Sequence, residues 1–175
     1  MKNLSCFPSG SVISDIHSEE KYQAIHELIT RAPVFRKWED LSLFEQAVCQ
    51  RERLQSTGLG HGIAMAHGKC DAVGRFVIAL GISRRGIDFD SCDTQPVQFL
   101  FLVANPPEYQ SEYLPVISSL AELLRNEDFR RRLLACRRPR QIEGILRRSF
   151  HRILIRRYSS LFRSQFFGRV VCLNR

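Results

Sequence analysis

Two imidazoles and four glycines are concentrated in one short stretch, RERLQSTGLGHGIAMAHGKC, residues 51–70. The imidazoles are His61 and His67, the glycines are Gly58, Gly60, Gly62 and Gly68, and Arg51 and Arg53 lie just upstream. A neutral imidazole is a nucleophile near pH 7. To accept a phosphoryl group it needs an exposed ring nitrogen, a partner that orients the other nitrogen, and donors for the phosphate oxygens. Glycine main-chain amides and an arginine guanidinium suit those oxygens. The stretch is not a nucleotide-binding P-loop, because it lacks the closing Gly-Lys-Ser or Gly-Lys-Thr. Nor is it a dinucleotide fingerprint, since GLGHGIA has Gly-x-Gly-x-Gly spacing and no strand clearly precedes it. On residue types alone other chemistries stay open. His61, His67 and Cys70 are close enough for a zinc site, although no second ligand pair accompanies them. Cys70 neighbours His67, but no acid is evident to complete a catalytic cysteine.

Those residues must be held by the elements around them. Residues 18–31 keep helical spacing through Tyr22, Ile25, Leu28 and Ile29, with Ser18 as an N-cap. A second helix is predicted over 42–54, carrying Arg51 in its last turn. Residues 72–82 and 97–104 are short, apolar and bounded by Gly, Pro and Asp, as buried strands are. A helix over 111–125 follows, then a short one capped by Asn126, then one with Pro139 in its first turn. Helices alternating with buried strands predict an α/β fold, a mixed β-sheet flanked by helices on both faces.

The chain has 175 residues, 44% apolar and 25% charged, which suits one domain with one core and an appendage. No apolar run approaches the about 20 residues needed to span a bilayer, and the N-terminus does not read as a secretory signal. The six cysteines are scattered and none has C-x-x-C spacing. Reduced thiols in a cytoplasmic protein are expected. The net charge of +8 is uneven. Eight arginines follow the last acidic residue, Glu143, while residues 1–145 carry equal numbers of basic and acidic groups. A nucleic-acid face over the whole protein is therefore not expected, and specific nucleic-acid binding is not predicted.

Residues 51–68, Arg-Glu-Arg-Leu-Gln-Ser-Thr-Gly-Leu-Gly-His-Gly-Ile-Ala-Met-Ala-His-Gly, resemble the signature of the type 2 IIA (EIIA) components of the bacterial phosphoenolpyruvate:sugar phosphotransferase system. The matching branch is the fructose/mannitol one that includes the nitrogen-regulatory (PtsN-like) proteins. Gly86–Phe89 and Pro96–Ala104 resemble a second family segment, and residues 112–124 and 129–134 its two late helices, so that the resemblance covers about residues 4–147. It implies an EIIA sandwich fold and a phosphohistidine carrier. It aligns His67 with the phosphorylated histidine and Arg51 with an arginine beside it, and it implies an HPr-like or NPr-like phosphocarrier as donor. No cofactor and no metal are implied. The glycines Gly58, Gly60, Gly62 and Gly68 are expected to cradle phosphate.

Three positions depart from the pattern. Ala66 replaces a proline that would stiffen the backbone before His67. Tyr113 replaces a second histidine, keeping a hydroxyl donor but no group that charges near neutral pH. His61 stands where nitrogen-type members often carry asparagine and is expected to substitute in part for the lost imidazole. STGLGHGIAMAHGK is nearest the nitrogen-regulatory subgroup, which predicts a regulatory carrier acting on target proteins. The alternatives are the IIA subunit of a fructose/mannitol-type transporter, which would meet a IIB component, and a binding protein that keeps the fold without phosphorylation.

The chain is expected to divide into an EIIA-type domain, 1–145, and an Arg-rich amphipathic tail, 146–175. Leu146, Phe150, Leu154, Tyr158, Leu161 and Phe162 share one helical face. That face docks on the body or lies on an anionic membrane surface, with RNA contact or a partner-binding arm as the remaining alternatives.

Overall fold

In the computed structural model, residues 6–69, 76–107 and 110–161 are described, with the backbone alone at 110–112 and 157–161. Five strands form one mixed sheet: β1 (Val12–Ile13), β2 (Gly58–Gly60), β3 (Ile63–Lys69), β4 (Val77–Ile87) and β5 (Val97–Asn105). Their order is β1-β4-β5-β3-β2. β1 runs parallel to β4 and β3 parallel to β5, while the β4–β5 and β2–β3 pairs are antiparallel. The helices are α1 (Lys21–Arg31), α2 (Leu41–Leu54), α3 (Gln110–Arg125), α4 (Glu127–Ala135) and α5 (Pro139–Leu161).

Alternation along the central strands separates two cores. Ala64, Ala66, Ala79, Leu100 and Leu102 meet α1 and α2 on one face. Ile63, Met65, Ile78, Phe99, Phe101 and Val103 meet α3, α4 and α5 on the other. The expected sandwich is therefore present, with helices on both faces. On β3 the alanines face α2 and the large side chains face the other way. Small residues let α2 lie close, and Gly68 continues the contact. A Cβ placed on Gly68 would stand 2.8 Å from the Val48 main-chain nitrogen and 2.8 Å from its Cγ2. The backbone side of that clash cannot be relieved by a rotamer change. Gly68→Ala is therefore expected to lower stability by about 1–3 kcal/mol, read from the midpoint of urea unfolding at unchanged m-value.

Local differences from expectation have local causes. α1 begins at Lys21 with Glu20 as N-cap, because the Ser18 hydroxyl and N–H both go to Glu27, at 2.6 and 2.8 Å. α2 begins at Leu41, capped by the Asp40 carboxylate on the Leu43 N–H. α4 is capped as expected, Asn126 accepting from the Phe129 N–H at 2.8 Å. The strand predicted over 72–82 runs on to Ile87, and residues 72–75 lie outside the described residues. The glycine-rich stretch forms the hairpin β2–β3 and puts His67 on a strand.

The division expected at 145/146 falls inside α5, which continues unbroken to Leu161. Leu146, Phe150 and Leu154 are buried in the core, and the Phe150 ring meets Phe7 edge-on at 5.4 Å. The first part of the tail thus docks on the body; the side chains of Tyr158 and Leu161, and residue Phe162, lie outside the described residues. Among the described residues no helix is long and apolar enough to cross a membrane.

Candidate functional site

β2 pairs with β3 only near its start, Gly58 opposite Ala64, with one further bond from the Met65 N–H to the Thr57 carbonyl. Beyond Met65 the outer edge of β3 carries no ladder partner among the described residues, and His67 sits at that open edge, half-buried. On the inner side His67 is opposite Val103 of β5. Because α2 packs against the alanine face of β3, its last turn delivers Arg51 to the same edge.

The Arg51 Nε–H donates to His67 Nε2 at 3.2 Å, and its Nη1 donates to the Gln55 carbonyl at 3.0 Å. Nε2 therefore presents its lone pair. The proton of the neutral ring is on Nδ1, which lies 3.1 Å from the Met65 carbonyl and donates to it. From the other side the Tyr113 ring lies 5.8 Å from the imidazole, tilted by 52°. Burial raises the phenol's pKa, opposed by the Arg51 charge, so the hydroxyl keeps its proton and stays a donor.

Burial also pushes the His67 pKa below its ordinary 6.5, and the Arg51 and Lys69 cations act in the same direction. The Met65 carbonyl and the Glu52 carboxylate oppose them. A ring with a lowered pKa is neutral, and so nucleophilic, further into mild acid. A reaction that uses the neutral ring as nucleophile is expected to keep more than half of its alkaline plateau at pH 6.5 and to reach its half-point only below that pH. The ring's NMR titration should show the same depressed midpoint. Its linkage to stability has the matching sign: below about pH 6.5 the unfolded ring binds a proton that the folded ring resists, so the fold loses stability as pH falls.

Of the residues expected at the site, the fold brings His67, Arg51 and Tyr113 together. It does not bring His61. That residue lies in the β2–β3 turn before the other end of β3, where Ile63 alone is about 13 Å from His67 at roughly 3.3 Å per residue. It is exposed there, with φ 54°, and its N–H donates to Asp93 at 2.7 Å. It therefore cannot act beside Tyr113 as the resemblance leads one to expect, nor can it share a metal ion with His67.

The glycines expected to cradle phosphate also serve elsewhere. Gly60 and Gly62 flank His61 with φ of 84° and 73°, the left-handed backbone that a tight Gly-His-Gly turn requires. Gly58 is packed on Ser91, and Gly68 on Val48. Arg53 points away from the site, its guanidinium over the Tyr22 ring at 5.9 Å. Among the described residues no group of three or more His, Cys, Asp or Glu side chains is arranged to hold a metal ion; Cys70 lies outside them.

Residue types alone did not single out Glu52, Thr57, Met65 or Lys69. The Met65 contribution is a main-chain carbonyl, which leaves no mark in a residue pattern. Glu52 was legible only as a letter of the motif.

The site so built can be compared with known proteins. The family model described as "Phosphoenolpyruvate-dependent sugar phosphotransferase system, EIIA 2" matches residues 5–149. The chain is 34% identical over 134 residues to a PTS system fructose-specific EIIABC component of Bacillus subtilis, covering 77% of this chain but 21% of that larger protein. It is 31% identical over 136 residues to a nitrogen regulatory protein of Bradyrhizobium diazoefficiens, covering 78% of this chain and 88% of the relative. Among solved structures, the nitrogen regulatory protein IIA-Ntr of Neisseria meningitidis superimposes with a TM-score of 0.73 at 26% identity, over 81% of this chain and 96% of that one. The sheet and these matches agree: the chain belongs to the type 2 EIIA family of the phosphoenolpyruvate-dependent sugar phosphotransferase system.

Proposed function

We propose that this protein is a cytoplasmic phosphohistidine carrier that accepts a phosphoryl group on His67 Nε2 from an HPr-like or NPr-like phosphocarrier. The observation that carries the reading is the pair of bonds on one ring: Nδ1–H is committed to the Met65 carbonyl, and Nε2 faces a guanidinium. In the transfer, the Nε2 lone pair forms a bond to the donor's phosphorus. The donor's own N–P bond breaks, its electron pair staying on the donor nitrogen. No net proton is gained or lost. Arg51 is already in place to shift from Nε2 to the phosphoryl oxygens, where charge-assisted bonds are strongest. The Tyr113 hydroxyl offers a neutral donor from the opposite side. The Met65 carbonyl stabilises the positive charge that the phosphorylated ring carries.

The downstream role is regulation rather than sugar import. Its support is the STGLGHGIAMAHGK stretch and relatives named nitrogen regulatory protein. The three-part fructose relative supports the alternative, in which a IIB component would take the group from His67. The outer face of α5 carries exposed Arg148 and Arg152 and leaves a role for the segment 146–175 at an anionic membrane surface as a separate proposal. The test of the carrier reading is incubation with phosphoenolpyruvate, the upstream enzyme and the phosphocarrier, followed by mass-spectrometric mapping of acid-labile phosphate. Label is expected on His67 alone. An unlabelled protein leaves the fold as a binding module that does not use this chemistry.

A further inference from the structure

Glu52 lies in the last turn of α2 beside Arg51 and is 2% exposed, an unusual place for a carboxylate. Its oxygens accept the Thr57 N–H at 3.0 and 3.3 Å and the Thr57 hydroxyl at 2.5 Å. The Lys21 ammonium lies 3.7 Å away. The Met65 N–H donates to the Thr57 carbonyl at 3.1 Å. In an antiparallel ladder, residues joined in this way exchange both bonds, so the Thr57 N–H is the natural donor to the Met65 carbonyl. Glu52 takes that donor instead. The place it leaves at the Met65 carbonyl is filled by His67 Nδ1–H.

We infer that Glu52 is a positioning residue: by capturing the Thr57 N–H it frees the Met65 carbonyl to hold the His67 Nδ1–H, which keeps Nε2 unprotonated for phosphoryl transfer. The inference deepens the carrier reading and rests on it for its catalytic meaning, although its structural half does not depend on transfer. The carboxylate acts through two intervening groups and touches no reacting atom. It is suited to the task because it has an acceptor for each of the two Thr57 donors and still faces Lys21. A released Thr57 N–H would extend the β2–β3 ladder by one bond and compete with the imidazole for the same oxygen.

The test compares Glu52→Met, which keeps the volume and removes the acceptors, with Glu52→Gln, which keeps an acceptor for the Thr57 N–H and removes the charge. Ring ¹⁵N chemical shifts of His67 in the unphosphorylated protein report the tautomer, whether or not any donor transfers to it. Glu52→Met is expected to lose the single Nδ1–H form and to slow phosphoryl acceptance about tenfold, as loss of an orienting partner of a functional histidine does. Glu52→Gln is expected to keep both. Wild-type ring shifts in folded Glu52→Met overturn the inference. So does an equal loss in Glu52→Gln, which would make the charge and not the acceptor responsible. Should Glu52→Met not fold, the wild type decides through hydrogen-bond scalar couplings. No coupling is expected between the Thr57 amide nitrogen and the Met65 carbonyl carbon, and finding one removes the basis of the proposal.

Discussion

His67→Ala is expected to abolish acid-labile phosphorylation altogether while leaving the fold intact. The side chain is half-buried at an open strand edge, and its main-chain ladder to β5 does not involve the imidazole. Alanine is already the residue at positions 64 and 66 of the same strand, so the backbone tolerates it. The chemical loss is complete because the nucleophile is absent, whereas loss of a positioned donor is graded. Arg51→Ala would remove one such donor and is expected to slow transfer by about 10²–10³-fold. The measurement is transfer from a phosphorylated carrier, followed by intact mass before and after brief acid treatment. Circular dichroism should show the same helix content in both variants. Phosphate retained by folded His67→Ala would mean that another side chain is the acceptor. His61 is the first to check, because it is an exposed imidazole of the same motif.

The division of labour between His61 and His67 marks the limit of what residue types alone convey. Both imidazoles lie in the glycine-rich motif, and residue types made them neighbours. The strand made them strangers: His61 sits in the turn before Ile63, and four residues of strand rise carry the chain from there to His67. The glycines have structural duties that residue types do not state: Gly60 and Gly62 turn the hairpin around His61, and Gly58 and Gly68 admit Ser91 and Val48.

What the chain did disclose was the part written in side chains. Apolar spacing placed α2 within one residue of its true start, and so placed Arg51 in a last turn. The motif resemblance chose His67 over His61. The run VQFLFLVA fixed β5 to within one residue. The orienting carbonyl of Met65 and the ladder bond surrendered by Thr57 belong to the main chain. They follow from where β2 stops pairing, which no residue pattern states.

A chain ended after residue 145 is expected not to fold. The amphipathic pattern of residues 146–162 and the arginines among them are compatible with an appendage. The structure puts three of the face's side chains inside the core instead: Leu146, Phe150 and Leu154 are 0%, 4% and 3% exposed. Each is a large apolar group whose removal from a packed site costs about 2–5 kcal/mol. Together they approach the about 5–15 kcal/mol of net stability that a domain of this size possesses. The cut also removes the Phe7–Phe150 ring contact and the bond from Arg147 to the Phe7 carbonyl at 3.2 Å. Those contacts hold the lead into β1 at one edge of the sheet. The exposed cavity would open beneath the same sheet face that carries Met65, Val103 and the imidazole of His67. Loss of folding and loss of phosphorylation should therefore come together. A chain ended after residue 161 serves as the control. It keeps all of α5 and is expected to melt cooperatively and to accept phosphate. Dispersed amide resonances and a cooperative melt in the 145-residue chain would show that α5 beyond Ile145 is dispensable, and would return residues 146–175 to the status of a separable arm.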